Sequence, residues 1–177
     1  MQFNLAESTL VEMASRVELL LLDVDGVLTD GRLYFTNSGD EIKSFSTLDG
    51  HGIKMLRQGG VETGIITGRT STLLERRARD LGIELLYQGR EDKLAVLDEI
   101  LAGRAIDRTR VAYAGDDFPD LPVLRAVGLS FSVPAGHPDV RARVHAVTGF
   151  AGGAGAVREI CDFILKARGD YAQYFSS

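Results

Sequence analysis

The most constraining feature of this chain is a set of short apolar runs, each ending abruptly in polar residues. Glu18–Val24 reads Glu-Leu-Leu-Leu-Leu-Asp-Val, too short for a helix and suited to a strand buried on both faces. The format recurs at Val61–Thr67, Ile83–Tyr87, Arg110–Ala114, Leu129–Val133 and, more weakly, His145–Thr148. Between these runs the apolar spacing turns helical: Asn4–Arg16, a short Gly52–Gln58, Ser71–Leu81, Asp92–Leu101 and Ala156–Arg168. The last carries Val157, Ile160, Cys161, Ile164 and Leu165 on one stripe. Alternating strands and helices predict an α/β fold, a Rossmann-like, mostly parallel sheet with helices on both faces. Arg32–Thr36 and Ile42–Ser46 break the alternation; they flank Asn37-Ser38-Gly39-Asp40 and read as a hairpin. With 177 residues the expectation is a single domain over 1–177, a projecting hairpin at 32–46 and a weakly patterned tail at 169–177.

Composition narrows the function classes. A formal charge of −5 gives no basic face for a phosphate backbone, so nucleic acid is not an expected partner. The run Leu19–Leu22 is far too short to cross a bilayer, and Met1–Arg16 lacks the pattern of a signal peptide. One cysteine, Cys161, allows no internal disulfide and suits a reducing compartment. The expected location is the cytoplasm. An acidic protein acting on an anion must supply positive charge locally, from a metal ion, a few placed cations, or both.

In parallel sheets ligands bind beyond the carboxyl ends of the strands, so the polar residues found there carry the reading. Asp23-Val24-Asp25-Gly26 follows the first strand; residues i and i+2 of extended chain face the same way, bringing two carboxylates to one site. Their repulsion calls for a cation, and Mg²⁺ takes a shell of hard oxygens. Taken alone this stretch favours a surface turn or a calcium loop over catalysis. Thr67-Gly68-Arg69 follows the second long run and offers a hydroxyl and free N–H groups to phosphate, or a plain helix cap. Lys93 stands at a helix start, against the dipole. Gly115-Asp116-Asp117-Phe118-Pro119-Asp120 adds a second cluster of acids. His51, His137 and His145 are scattered, which gives zinc no support.

In this order, Asp23-x-Asp25-Gly26-Val27-Leu28-Thr29, Ile66-Thr67-Gly68-Arg69, Lys93 and Gly115-Asp116-Asp117 resemble the four motifs of the haloacid dehalogenase superfamily of phosphatases. From about Val17 to Lys166 the chain more narrowly resembles the 3-deoxy-D-manno-octulosonate 8-phosphate (KDO 8-phosphate) phosphatases of lipopolysaccharide biosynthesis. The resemblance implies a capless fold, a homotetramer, Mg²⁺ as cofactor and a sugar phosphate as substrate. It assigns Asp23 as nucleophile and Asp25 as general acid–base. Mg²⁺ falls to Asp23, Asp25 through its carbonyl, and Asp116, with Asp117 nearby; phosphate falls to Thr67, Gly68 and Lys93. Ser46, Thr47, Leu48, Asp49, Gly50 and Lys54 would line the sugar pocket with Asp25, and Arg69 and Arg77 would meet its anionic groups.

Two positions depart from the family pattern. Leu48 stands where Arg often precedes Asp-Gly, and Ala154 replaces the Arg of Gly-Gly-Arg-Gly-Ala; each removes a cation. A phosphatase of a related nonulosonate 9-phosphate is the alternative substrate reading. A phospho-receiver signalling domain is the alternative of another class, although there the Lys comes last, whereas Lys93 precedes Asp116.

Overall fold

A computed structural model describes residues 1–175. In chain order the elements are β1 (Gln2–Phe3), α1 (Glu7–Ser15), β2 (Leu19–Leu22), β3 (Tyr34–Phe35), β4 (Glu41–Ile42), α2 (Thr47–Gln58) and β5 (Glu62–Ile66). They continue with α3 (Thr72–Leu81), β6 (Leu85–Tyr87), α4 (Lys93–Ala102), β7 (Val111–Ala114), α5 (Leu121–Ala126), β8 (Leu129–Ser132), α6 (Pro138–Arg141), β9 (Ala146–Val147) and α7 (Ala156–Arg168).

Seven strands form one sheet in the order β1-β9-β8-β7-β2-β5-β6, parallel except for β1 against β9. The four leucines of β2 show why the run had to be continuously apolar. Leu20 and Leu22 pack into the layer built by α1, α2, α3 and α7; Leu19 and Leu21 pack into the opposite layer of α4, α5 and α6. All four are 0% exposed. A single charge anywhere in that run would be buried without a partner, at a cost of several kcal/mol. On α7, Cys161 is equally buried, and burial pushes its thiol pKa far up.

The sequence expectation of a mostly parallel sheet covered on both faces holds, and four details differ. Helix α1 starts at Glu7, because Gln2–Phe3 pairs with β9 and Asn4 N donates to His145 O at 3.0 Å. Helix α2 begins at Thr47 rather than Gly52; the Ser46 hydroxyl accepts from Asp49 N at 3.4 Å and caps it. Its early turns are disguised by Gly50 and Gly52, where a Cβ would collide with Arg77 and press on Arg158. Helices α5 and α6, with only 6 and 4 residues, are too short to show a period. Within 32–46 only Tyr34↔Ile42 and Phe35↔Glu41 pair. Of the tail, Tyr171–Phe175 forms a 3₁₀ turn whose Tyr174 hydroxyl donates to Met55 O at 2.7 Å. Ser176 and Ser177 lie outside the described residues.

Candidate active site

The chain runs from β2 to β5 and β6 on one side, then crosses to β7, β8 and β9 on the other. Connections therefore part at the carboxyl ends of β2 and β7, which opens a crevice there. Asp23 extends β2 by one residue, its N–H donating to Ala114 O at 3.0 Å. Asp116 leaves β7 two residues beyond Ala114. Carboxylate oxygens of Asp23, Asp116 and Asp120 all lie within 4.8 Å of one another. Acids from two distant stretches of chain, the loops after β2 and β7, thus come together at one place.

Lys93 enters from the first turn of α4, 5% exposed. Its Nζ donates to Asp23 Oδ1 at 2.7 Å and to Asp120 Oδ1 at 2.6 Å. Asp120 is fully engaged: it also accepts from the Tyr113 hydroxyl at 2.6 Å and from the backbone N–H groups of Asp116 and Asp117 at 3.0 and 3.2 Å. Electrostatics follow from this crowding. Burial, then the Asp120 charge, raises Asp23 to about 6 against the pull of Lys93. Burial, then Asp23, Asp120 and Asp117, raises Asp116 to about 7. Burial alone would lower Lys93, but Asp23 and Asp120 outweigh it and hold the ammonium charged. One lysine cannot neutralise three acids. The donor set is all oxygen, is short of positive charge, and so fits a hard divalent cation.

Asp25 is not in that cluster. Its Oδ1 accepts from Lys43 Nζ at 2.6 Å, and its Oδ2 lies 3.6 Å from Arg69 Nε. Directly after Asp25 the chain turns at Gly26, at φ +99° and so close to Asp116 that a Cβ would strike its carboxylate. Behind it, Gly152 lies against the carbonyls of Gly26 and Thr29, where no side chain fits.

Thr67, 2% exposed, directly follows β5, its Oγ1 accepting from Arg69 N at 3.3 Å. Asp23, Asp25, Thr67, Gly68, Arg69, Glu91, Lys93 and Pro119 line a cleft of about 430 Å³. So the structure brings together the nucleophile, acid–base, phosphate and metal candidates named from the sequence.

Other sequence-predicted residues lie elsewhere. Asp117 is exposed and caps its own 3₁₀ turn, accepting from Phe118 N at 2.8 Å; Asp120 takes the inner place in the acidic cluster. Asp49 is 2% exposed and accepts from Arg158 N at 2.8 Å, closing the start of α7 rather than facing the cleft. Ser46 caps α2, and Gly50 is buried under Arg77. Arg77 donates to Ser46 O at 2.9 Å. Thr47 is exposed, and Lys54 lies along a groove with Arg57 and Arg79. None of these lines the cleft within one chain. Leu48 and Ala154, the two departures from the family pattern, share one groove with Phe150.

Lys43, Glu41 and Tyr113 were not singled out from the sequence. Glu41 and Lys43 stand two apart around β4 and therefore face one side, a signal the hairpin pattern did carry. Asp120 was visible only as the third acid of its cluster.

An open α/β sheet whose first central strand ends in a buried aspartate, beside a buried lysine and a second acidic loop, defines a phosphatase of the haloacid dehalogenase type. Relatives in sequence and in structure belong to the same class. No family model matches the chain. The KDO 8-phosphate phosphatase of Yersinia pestis is 48% identical over 158 residues, 89% of this chain and 84% of that protein. A probable yrbi family phosphatase from Pseudomonas syringae superposes with a TM-score of 0.94 at 52% identity, over 96% of this chain and 97% of that one. The Moraxella catarrhalis KDO 8-phosphate phosphatase, solved with magnesium ion, phosphate ion and KDO, gives a TM-score of 0.94 at 39% identity, over 97% and 98%. The chain belongs to the KDO 8-phosphate phosphatase family, phosphoric monoester hydrolases of the haloacid dehalogenase superfamily. That membership sets aside the receiver-domain alternative. Among the described residues no helix is long and apolar enough to cross a membrane.

Proposed function

We propose that this chain hydrolyses KDO 8-phosphate to KDO and phosphate, with Mg²⁺ held by the Asp23 carboxylate, the Asp25 carbonyl and Asp116. The observation that carries the reading is the gathering of Asp23, Asp116 and Asp120 within 4.8 Å, beside a buried ammonium. When bound, the cation neutralises negative charge on the phosphoryl oxygens and on the acids, so that a carboxylate can approach a phosphate dianion.

The chain's own residues supply the rest. Asp23 attacks phosphorus, and the bond from phosphorus to the sugar oxygen breaks, leaving an aspartyl-phosphate. Asp25 gives its proton to the departing alkoxide. Asp25 then takes a proton from the water that attacks the same phosphorus, which releases phosphate and regenerates Asp23. Thr67, the Gly68 N–H and Lys93 hold the phosphoryl oxygens, and Asp120 with Tyr113 keeps Lys93 in place. Arg69, half-exposed at the rim, is available to the sugar acid. The apolar hairpin residues Leu33, Tyr34, Phe35 and Ile42, all exposed, support assembly into a homotetramer. In such an assembly Ser46 to Gly50, Lys54 and Arg77 would serve an entrance shared between subunits.

A steady-state screen with Mg²⁺ against sugar phosphates, including KDO 8-phosphate and a nonulosonate 9-phosphate, tests the substrate. KDO 8-phosphate is expected to give the highest kcat/KM, with activity abolished by chelation. Preference for the nine-carbon substrate would transfer the assignment, and would fit the cations missing at Leu48 and Ala154. Asp23→Asn is expected to lower kcat at least about 10³-fold with the fold intact. Activity within tenfold of wild type, in protein shown free of deamidation, would remove Asp23 from its role.

A further inference from the structure

The two paired rungs of β3 and β4 are too little ladder to hold a loop in one place. Side chains anchor it instead. Lys43, one residue past β4, turns inward, its side chain only 4% exposed, and reaches Asp25 at 2.6 Å. Glu41 Oε1 lies 3.7 Å from the same ammonium and accepts from Arg69 Nη2 at 2.9 Å, while Arg69 Nε approaches Asp25 at 3.6 Å. Asp25, Lys43, Glu41 and Arg69 thus close a ring that ties the hairpin to the loops after β2 and β5. Just beyond, Arg77 fixes the chain by its bond to Ser46 O and by lying 5.7 Å over the Phe45 ring.

Burying a lysine ammonium is costly even beside carboxylates, and an exposed pair would add little to stability. A positional role accounts for the burial. Lys93 does not fill it, since its ammonium meets Asp23 and Asp120 rather than Asp25. Building on the mechanism above, we propose that Lys43 is the positioning residue of the general acid–base. It fixes one oxygen of Asp25 so that the other faces the bridging oxygen of the substrate and, later, the attacking water. Arg69, with its side chain 46% exposed, is the solvent-facing member of the ring, at the rim an incoming anion must pass.

The test separates the two halves of the reaction. An aryl phosphate such as p-nitrophenyl phosphate expels a stable phenolate without a proton donor, so Asp25 is needed only for the water step. An alkyl sugar phosphate needs Asp25 in both steps. With full-length Lys43→Met and Mg²⁺, p-nitrophenyl phosphate is expected to give one rapid equivalent of nitrophenolate per site. A steady rate at least tenfold below wild type should follow. The alkyl substrate is expected to lose about hundredfold in kcat, with KM within threefold, and Lys43→Arg should recover most of the loss. A change in KM alone, or equal slowing of burst and steady rate, would overturn the assignment. Lys43→Gln carries the same comparison if the methionine variant does not fold. Absence of turnover by the wild type with every phosphate monoester would instead strike the phosphatase reading itself.

Discussion

The acidic cleft and the hairpin beside it are positioned by opposite means. Asp23 and Asp116 leave adjacent parallel strands whose register is fixed along β2 and β7, Leu19↔Val111 through Leu22↔Ala114. Because every rung is buried on both faces, a slip of one residue would exchange the two leucine layers, so the separation of the acids is set by the core. The hairpin has two rungs, exposes Phe35 at 61% and Ile42 at 52%, and depends on Lys43 and Arg77 for its place. Rigid groups come from the sheet; adjustable ones come from side-chain ties.

Lys93→Met should break the cleft most severely. It leaves Asp23 and Asp120 buried without a cation, so metal-free protein is expected to lose about 3–5 kcal/mol in urea unfolding, and turnover should vanish. A loss below about 1 kcal/mol would mean that the buried acids find other relief.

A pH titration comes next in size. With Asp116 at about 7 and Asp23 at about 6, protons compete with the cation below those values. Mg²⁺ affinity, followed by calorimetry, should fall towards tenfold per unit as pH drops through 7, and more steeply below 6. Metal-free protein should behave in the opposite sense. Raised carboxyl pKa values make the folded state bind more protons than the unfolded chain between about 4 and 7, so its stability declines as pH rises across that window. Affinity flat from pH 5 to 8 would contradict both.

The smallest effect belongs to the hairpin tip. Phe35→Ser should leave urea unfolding of the chain within about 0.5 kcal/mol, because the ring is not packed in the core. Sedimentation should then show weakened self-association. A large loss of intrinsic stability would place the hairpin with the cleft rather than apart from it.

The same division explains what could be read from the sequence. Strands such as Leu19–Leu22 and the stripe of α7 were legible because burial on one or two faces imposes a period. The acids and Lys93 were legible because strand ends and helix starts mark where polar groups converge. The early turns of α2 were not, since Gly50 and Gly52 serve close packing and look like loop residues. Lys43 and Asp120 work through long-range pairs, across 18 and 27 residues, that no local pattern records. Asp120 gains its inner place from the 3₁₀ turn at Phe118–Asp120, a turn too short to leave a pattern in the sequence.

Cys161 lies wholly inside α7, and its reluctance to ionise makes it a poor target for alkylating reagents. Among the described residues the exterior is therefore blank to thiol chemistry. A cysteine introduced at the solvent-exposed Asn37 of the hairpin turn would be the one reactive handle, letting a fluorophore or spin label report hairpin movement in otherwise native enzyme.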